Sequence, residues 1–242
     1  MSFSTPQFPV LTLHDWLLWH DGVHAPAFNM AADHVLFDHA ERFGMPLLRL
    51  YSWEQPTVSI GRSQRYPELI PQGLDVIRRP TGGGVVFHGK DCTYTLVLPA
   101  DHPLSTLEIA ESYQFIHEAF LSQFASVVRL SDTKAPSDPL TMRCFDSPVR
   151  FDLLQSDGTK CAGAAQLRRG GASLTQGSVL LSISGGNQKV MEQKILAAFE
   201  HLAHAQYVAW EPDADFLSEV SERVSSHYAT EEWNRKGAVG RG

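Results

Sequence analysis

Three strand-like runs follow one another in the second half of the chain: VRFDLLQ (149–155), TKCAGAAQLRR (159–169) and ASLTQGSVLL (172–181). Only Ser156-Asp157-Gly158 and Gly170-Gly171 separate them. Connections this short close antiparallel hairpins, whereas a parallel crossover needs a dozen residues or more. The chain is thereby committed to an antiparallel meander, and its other elements must pack against that sheet.

Further strand signal lies upstream. LLRLYSW (47–53), TVSIG (57–61), DVIRR (75–79), VVFH (85–88) and TYTLVLP (93–99) are rich in β-branched, aromatic and leucine side chains. Helical spacing runs from Met30 to Phe43, with Asn29 as N-cap. Ser105 and Glu108 read as a capping box ahead of a helix whose face carries Ile109, Tyr113, Ile116, Phe120 and Phe124. Two more helices are read at Gln188–Ala203 and Ala214–Tyr228. Helices before, between and after a run of strands, without regular alternation, predict an α+β fold: a largely antiparallel mixed sheet flanked by helices. No linker divides it. The reading is one domain over residues 10–235, with loose termini at 1–9 and 236–242.

At 242 residues, 43% of them apolar and 19% charged, the chain has the composition of an ordinary soluble globule. Twenty basic against twenty-seven acidic residues give a net charge of −7, which argues against non-specific nucleic-acid binding. No apolar run reaches the length of a membrane span, and the first twenty residues lack a secretory pattern. The expectation is a cytoplasmic monomer that engages neither membrane nor nucleic acid. Cys92, Cys144 and Cys161 are too few and too scattered for a disulfide framework, and they lack paired zinc spacing, so no metal site is expected.

The chemistry-bearing stretch is RRPTGGGVVFHGKDCTYTLVLP, from Arg78 to Pro99. Glycines 82–84 weaken any strand they enter, but they let backbone N–H groups approach a ligand closely. Arg78 and Arg79 precede them and offer guanidinium forks to a phosphate or carboxylate. Taken alone, such a run is a strained bulge beside two solvated arginines. Lys160 opens a segment of small residues, Ala162 to Ala165, through which its ammonium could reach a carbonyl or phosphate oxygen. Taken alone, it is a solvated strand-end lysine. Cys144, next to Arg143 and near Arg150, is either a buried apolar side chain or a nucleophile activated by cations. Cys92 and Cys161, inside strand-like segments, read as buried. His88 is open between an acid, a base, a pocket wall and a satisfied core histidine.

Together these segments resemble one family. The opening stretch is similar to the signature of the lipoate–protein ligase and octanoyltransferase family, related to biotin–protein ligases. PAFNMAADHVLFDHA (26–40) resembles that family's first helix, and PLLRLYSWEQPTVSIGRSQ (46–64) its arginine-tyrosine-tryptophan strand pair. GTKCAGAAQLRRGGASLTQGSVLL (158–181) is similar to the segment bearing its lysine, and YATEEWN (228–234) to the end of its catalytic domain. The resemblance implies a catalytic domain of the biotinyl/lipoyl-ligase type that attaches an octanoyl or lipoyl group to a lysine of a lipoyl domain or of glycine cleavage H protein. It implies that Arg79, Thr81, Gly82, Gly83, Gly84, His88, Gly163 and Ala165 line the acyl pocket, and that Lys160 holds the acyl carbonyl.

Two chemistries occur in this family. Ligases use ATP and Mg²⁺ to make an acyl adenylate, whereas transferases take octanoyl from acyl carrier protein and need no cofactor. One transferase branch passes the acyl group through a cysteine thioester. CFDSPVRFDLLQSDGTKCAGAAQLR, beginning at Cys144, resembles that branch, and only Asp152 echoes the ligases' arginine-asparagine-aspartate stretch. The short stretch after EEWN, with no room for a ligase accessory domain, points the same way. The resemblance thus implies Cys144 as nucleophile and octanoyl-acyl carrier protein as donor. The acidic net charge says little about docking, since local basic patches around Arg78, Arg79, Arg168 and Arg169 could still meet an acidic carrier. The alternatives are an ATP-dependent lipoate–protein ligase and a non-catalytic acyl-binding module on the same scaffold.

Overall fold

A computed structural model describes residues 15–67, 72–124, 127–133 and 148–237. Cys144 lies outside the described residues. Eight strands form the main sheet: β1 (Asp15–His24), β2 (Leu47–Trp53), β6 (Asp91–Leu98), β7 (Val128–Leu130), β8 (Leu153–Gln155), β9 (Lys160–Arg169), β10 (Ala172–Leu180) and β11 (Gln206–Ala209). Their order is β11-β1-β2-β6-β10-β9-β8-β7. β1 runs parallel to both β11 and β2, and the remaining pairings are antiparallel. A second sheet carries β3 (Thr57–Ile60) between β4 (Asp75–Arg78) and β5 (Val86–His88).

The predicted meander forms: β8, β9 and β10 are consecutive antiparallel neighbours, and Gly158, Gly170 and Gly171 all take positive φ in their turns. Side chains alternate across the sheet with the period of two that a strand imposes. On β6, Cys92, Tyr94, Leu96 and Leu98 enter one core beneath α3 (Ile109–Phe124) and α4 (Gln188–Ala203). Val97, with Leu47, Tyr51 and Leu174, enters a second core under α1 (Pro26–Asp38) and α5 (Ala214–Arg223). The chain is thus the expected α+β fold, a largely antiparallel mixed sheet with helices on both faces. No helix among the described residues is long and apolar enough to cross a membrane.

Local expectations needed correction in four places. The first helix starts at Pro26 with Ala25 as its cap, and it breaks at His39 before the short α2 (Ala40–Phe43). Asn29 lies inside α1, where its amide donates to the carbonyls of His24 and Ser52. Proline at the first helical position has no N–H to satisfy and starts the helix without a side-chain cap. Ser105 donates to the Pro99 carbonyl instead of capping α3, and the Glu111 carboxylate accepts from the Glu108 N–H. The last predicted helix is α-helical to Arg223 and continues as a π-helical turn, Val224–Tyr228. The first strand of the meander is shorter than read: β8 begins at Leu153, and Val149–Asp152 form a loop.

Candidate acyl-binding and catalytic site

The glycine run lies against the main sheet where β3 and β5 turn toward it. Gly83 has φ +82°, and a Cβ there would stand 3.0 Å from Arg79 Nη2 and 3.5 Å from the Ala165 Cβ. Approach on the other side is closer still: a Cβ on Gly61 would fall 2.2 Å from the Gly83 carbonyl oxygen. Glycine is required at Gly61 by space and at Gly83 by the left-handed backbone.

The two arginines do not behave as the sequence suggested. Arg78 is fully buried and Arg79 nearly so. Arg79 Nη2 donates to the carbonyls of Gly82 and Gly84 at 2.6 and 2.7 Å, and Nη1 to Ser59 O and Oγ at 3.2 Å each. Arg78 donates to the carbonyls of Gly61, Arg62, Gln64, Trp233 and Asn234. Both guanidinium forks therefore stitch backbone, where the expectation was an open anion site and a basic docking patch. The correction has a physical cause. A tight glycine turn directs several carbonyls inward, and a planar five-donor fork satisfies them at once. Of the other two arginines in the expected patch, Arg168 donates to Gln166 and Ser112, and the more exposed Arg169 pairs with Asp38.

From Arg79 a chain of hydrogen bonds runs through the site. The Ser59 hydroxyl meets His88 Nε2 at 2.8 Å, and His88 Nδ1 meets Asp91 Oδ2 at 2.7 Å. Ser178 Oγ donates to the same carboxylate oxygen at 2.6 Å, and the Gly89 N–H donates to Oδ1 at 2.9 Å. Burial alone would raise the Asp91 carboxyl. The facing His88 and these donors outweigh it and hold the group below its ordinary value. An ionised Asp91 accepts only, so His88 donates to it from Nδ1. The His88 ring stacks on Trp53 with centroids 4.0 Å apart. Trp53 in turn donates to Thr93. His88 is thus a fixed wall, with its Asp91 support missing from the sequence reading.

Beyond this wall the Thr81 hydroxyl donates to Gln176, whose amide donates to Asp33 Oδ2 at 2.6 Å. Tyr51 donates to the same carboxylate at 2.9 Å, and Arg49 meets its other oxygen at 2.6 Å. Together these residues form the polar floor beneath a narrow groove. Its lining includes Met30, Trp53, Arg79, Val86, His88, Gly163, Ala165, Gln176 and Ser178. The walls are mainly apolar, with polar groups at defined points, which suits a thin aliphatic chain ending in a polar group.

Lys160 adjoins this groove through Gly163, one of its lining residues. It is 2% exposed, and its Nζ pairs with Asp152 Oδ2 at 2.7 Å. A Cβ on Gly163 would lie 2.5 Å from that Nζ, so the ammonium folds over a glycine that lines the groove. The lysine is a buried cation with a built partner, not a solvated strand end. Of the residues that the resemblance named, Arg79, His88, Gly163 and Ala165 line this groove. The others stand behind that lining: Gly82 and Gly84 accept from Arg79, Gly83 packs against Arg79 and Ala165, Thr81 donates to Gln176, and Lys160 folds over Gly163. The other cysteines are buried as read. Burial pushes the Cys161 thiol up to about 12 and Cys92 higher, which leaves both poor nucleophiles. Ser59, Asp91, Gln176 and Asp33 escaped the sequence reading. Asp91 had a usable signal, an acid set against the apolar run CTYTLVL.

A helix-flanked, largely antiparallel sheet with this glycine loop and buried lysine defines a catalytic domain of the lipoate-ligase type. Two solved structures share the fold. Lipoate-protein ligase A bound with ATP superposes with a TM-score of 0.76 at 19% identity, over 92% of this chain and 99% of that one. A bi-partite lipoate protein ligase from Thermoplasma acidophilum, studied with its E2 lipoyl domain, gives 0.68 at 19% identity over 93% and 97%. Residues 25–209 match the family described as the lipoyl protein ligase A/B catalytic domain, and the chain belongs to that family as one of its enzymes. Among curated relatives, octanoyltransferase LipM of Geobacillus kaustophilus is 36% identical over 69% of this chain and 66% of its own length. Octanoyltransferase LipM of Anoxybacillus flavithermus is 29% identical over 91% of this chain and 98% of its own length.

Proposed function

We propose that this protein is an octanoyltransferase of protein lipoylation, moving an octanoyl group from acyl carrier protein through a thioester on Cys144 to a lysine of a lipoyl domain or glycine cleavage H protein. The observation that carries the reading is the likeness to octanoyltransferases over nearly the full length of one of them. The narrow groove, with a buried ammonium packed on its lining Gly163, supports it, since an aliphatic acyl chain needs an apolar slot and its carbonyl needs a cation.

In this reaction the Cys144 thiolate attacks the carrier thioester. A carbon–sulfur bond forms to Cys144 as the carrier's bond breaks, and the carrier leaves as a thiolate that takes a proton from solvent. The acceptor lysine then attacks as a neutral amine. The amide forms, the Cys144 thioester breaks, the thiolate is restored, and the proton lost by the amine passes to solvent. A thioester is already activated, so neither step consumes ATP. Lys160 stabilises the oxyanion in each tetrahedral intermediate. Arg79, Thr81, glycines 82–84, His88, Gly163 and Ala165 hold the acyl chain.

The test is octanoyl transfer to an apo-lipoyl domain, with octanoyl-acyl carrier protein or with free octanoate, each with and without ATP. The reading expects product from the carrier thioester without ATP. Product only from the free acid plus ATP would replace it with a ligase, and tight octanoate binding without product would make the chain an acyl-binding module.

A further inference from the structure

Asp152 sits in a loop constrained far more tightly than a salt-bridge partner requires. Its neighbour Phe151 has φ +73°, a conformation that a bulky side chain rarely takes without an imposed reason. Three elements hold it there. Phe151 N–H donates to Ser131 O at 2.8 Å, and Ser131 N–H donates back to Asp152 O at 2.8 Å. From α3, His117 Nδ1 donates to Phe151 O at 2.6 Å. Val149 N–H then donates to Asp152 Oδ2 at 2.7 Å, the same oxygen that meets Lys160. His117 is 1% exposed, and its Nε2 has no hydrogen-bond partner among the described residues. A buried imidazole with one nitrogen unmet is a poor choice for stability alone.

The carboxylate that results is almost fully buried and rigid, and it points across the groove-lining Gly163. A Cβ there would lie 3.2 Å from Asp152 Oδ1 and 2.4 Å from Lys160 Cε. We propose that Asp152 is the positioning residue of the reaction: the Ser131–Phe151–His117 clamp fixes its carboxylate, which holds the Lys160 ammonium in place over the groove-lining Gly163. This rests on the reading that Lys160 stabilises the acyl carbonyl. Asp152 touches neither the acyl group nor the acceptor in this role. Its effect is transmitted entirely through Lys160.

The experiment compares Asp152→Asn, Lys160→Ala and the double variant Asp152→Asn/Lys160→Met, by octanoyl transfer from carrier protein across pH 6–10 and by thermal unfolding. Lys160→Ala should lose nearly all transfer. Asp152→Asn, which keeps an oxygen for the Val149 N–H, should lower kcat about 100-fold with KM for the donor within about threefold. Without its counter-ion the ammonium is less favoured, so the alkaline limb of activity should move to lower pH, which a purely structural role would not cause. Thermal stability should fall in Asp152→Asn and recover in the double variant, where no unpaired cation remains. An active Asp152→Asn with an unshifted alkaline limb beside an inactive Lys160→Ala would overturn the proposal and leave Lys160's role standing. An active Lys160→Ala would overturn both.

Discussion

The guanidinium of Arg79 reaches over its own loop to the carbonyl of Gly84, five residues on, at 2.7 Å, and so converts the most flexible stretch of the chain into a fixed wall of the groove. A lysine in its place has a point charge but no planar fork, and cannot serve Ser59, Gly82 and Gly84 together. Arg79→Lys should therefore destabilise the fold by about 2–4 kcal/mol and cut transfer about 30-fold or more. Urea unfolding and kcat/KM report the two effects. A variant within threefold of wild type would mean that the loop holds its shape without the fork.

Two glycine-to-alanine changes should separate stability from activity. At Gly177 the new Cβ would stand 2.1 Å from the ring of Tyr94, a fully buried side chain with no free end to swing aside. Gly177→Ala should lower stability by about 3 kcal/mol. At Gly163 the clash is with the end of Lys160, which can move. Gly163→Ala should lower the unfolding midpoint less than Gly177→Ala does, since the crowded atoms end a flexible side chain, while reducing kcat about 100-fold by displacing the ammonium.

Buried histidines predict an acid-side loss of stability. Burial lowers both His34 and His117 to about 4 from an ordinary 6.5. Between these values the unfolded chain binds protons that the folded chain does not, so stability is full above pH 6.5 and falls as pH drops toward 4. Each group contributes up to roughly 3 kcal/mol to that fall. Asp91 acts lower down, since its depressed carboxyl gives stability that is present above its ordinary range and lost only as pH falls through its folded value. Urea unfolding at pH 7.0, 5.5 and 4.5 checks the trend. A flat profile would contradict it.

The π-helical turn Glu232–Lys236, which follows α5, is a structural clamp. Trp233 donates from Nε1 to Arg78 O, and its own carbonyl, with that of Asn234, accepts from the Arg78 guanidinium. Trp233→Ala should destabilise by about 2–4 kcal/mol and weaken transfer indirectly, through the strand that leads into Arg79. Thermal unfolding and transfer assays of the same preparation measure both.

The legible parts of this fold are those where local chemistry and tertiary demand agree. Leu47–Trp53, Lys160–Arg169 and Gln188–Ala203 form as the patterns predict because alternation, turn glycines and helical spacing point one way. β1 was not read, since Gly22 and a bulge between His20 and Gly22 interrupt its alternation. β7 and β11 are three and four residues long, and such short edge strands have little pattern of their own. At the site, the resemblance located the loop, His88 and Lys160. The inward turn of Arg78 and Arg79 depended on carbonyls from Ser59, Gly61 and Trp233, distant in sequence, which no local reading can supply.

The central claim is tested most directly by the intact mass of the protein after incubation with octanoyl-acyl carrier protein and no acceptor. The account predicts one octanoyl adduct on the wild type, released by hydroxylamine as a thioester and absent from Cys144→Ala. No adduct on the wild type, or one that persists in Cys144→Ala, would contradict it.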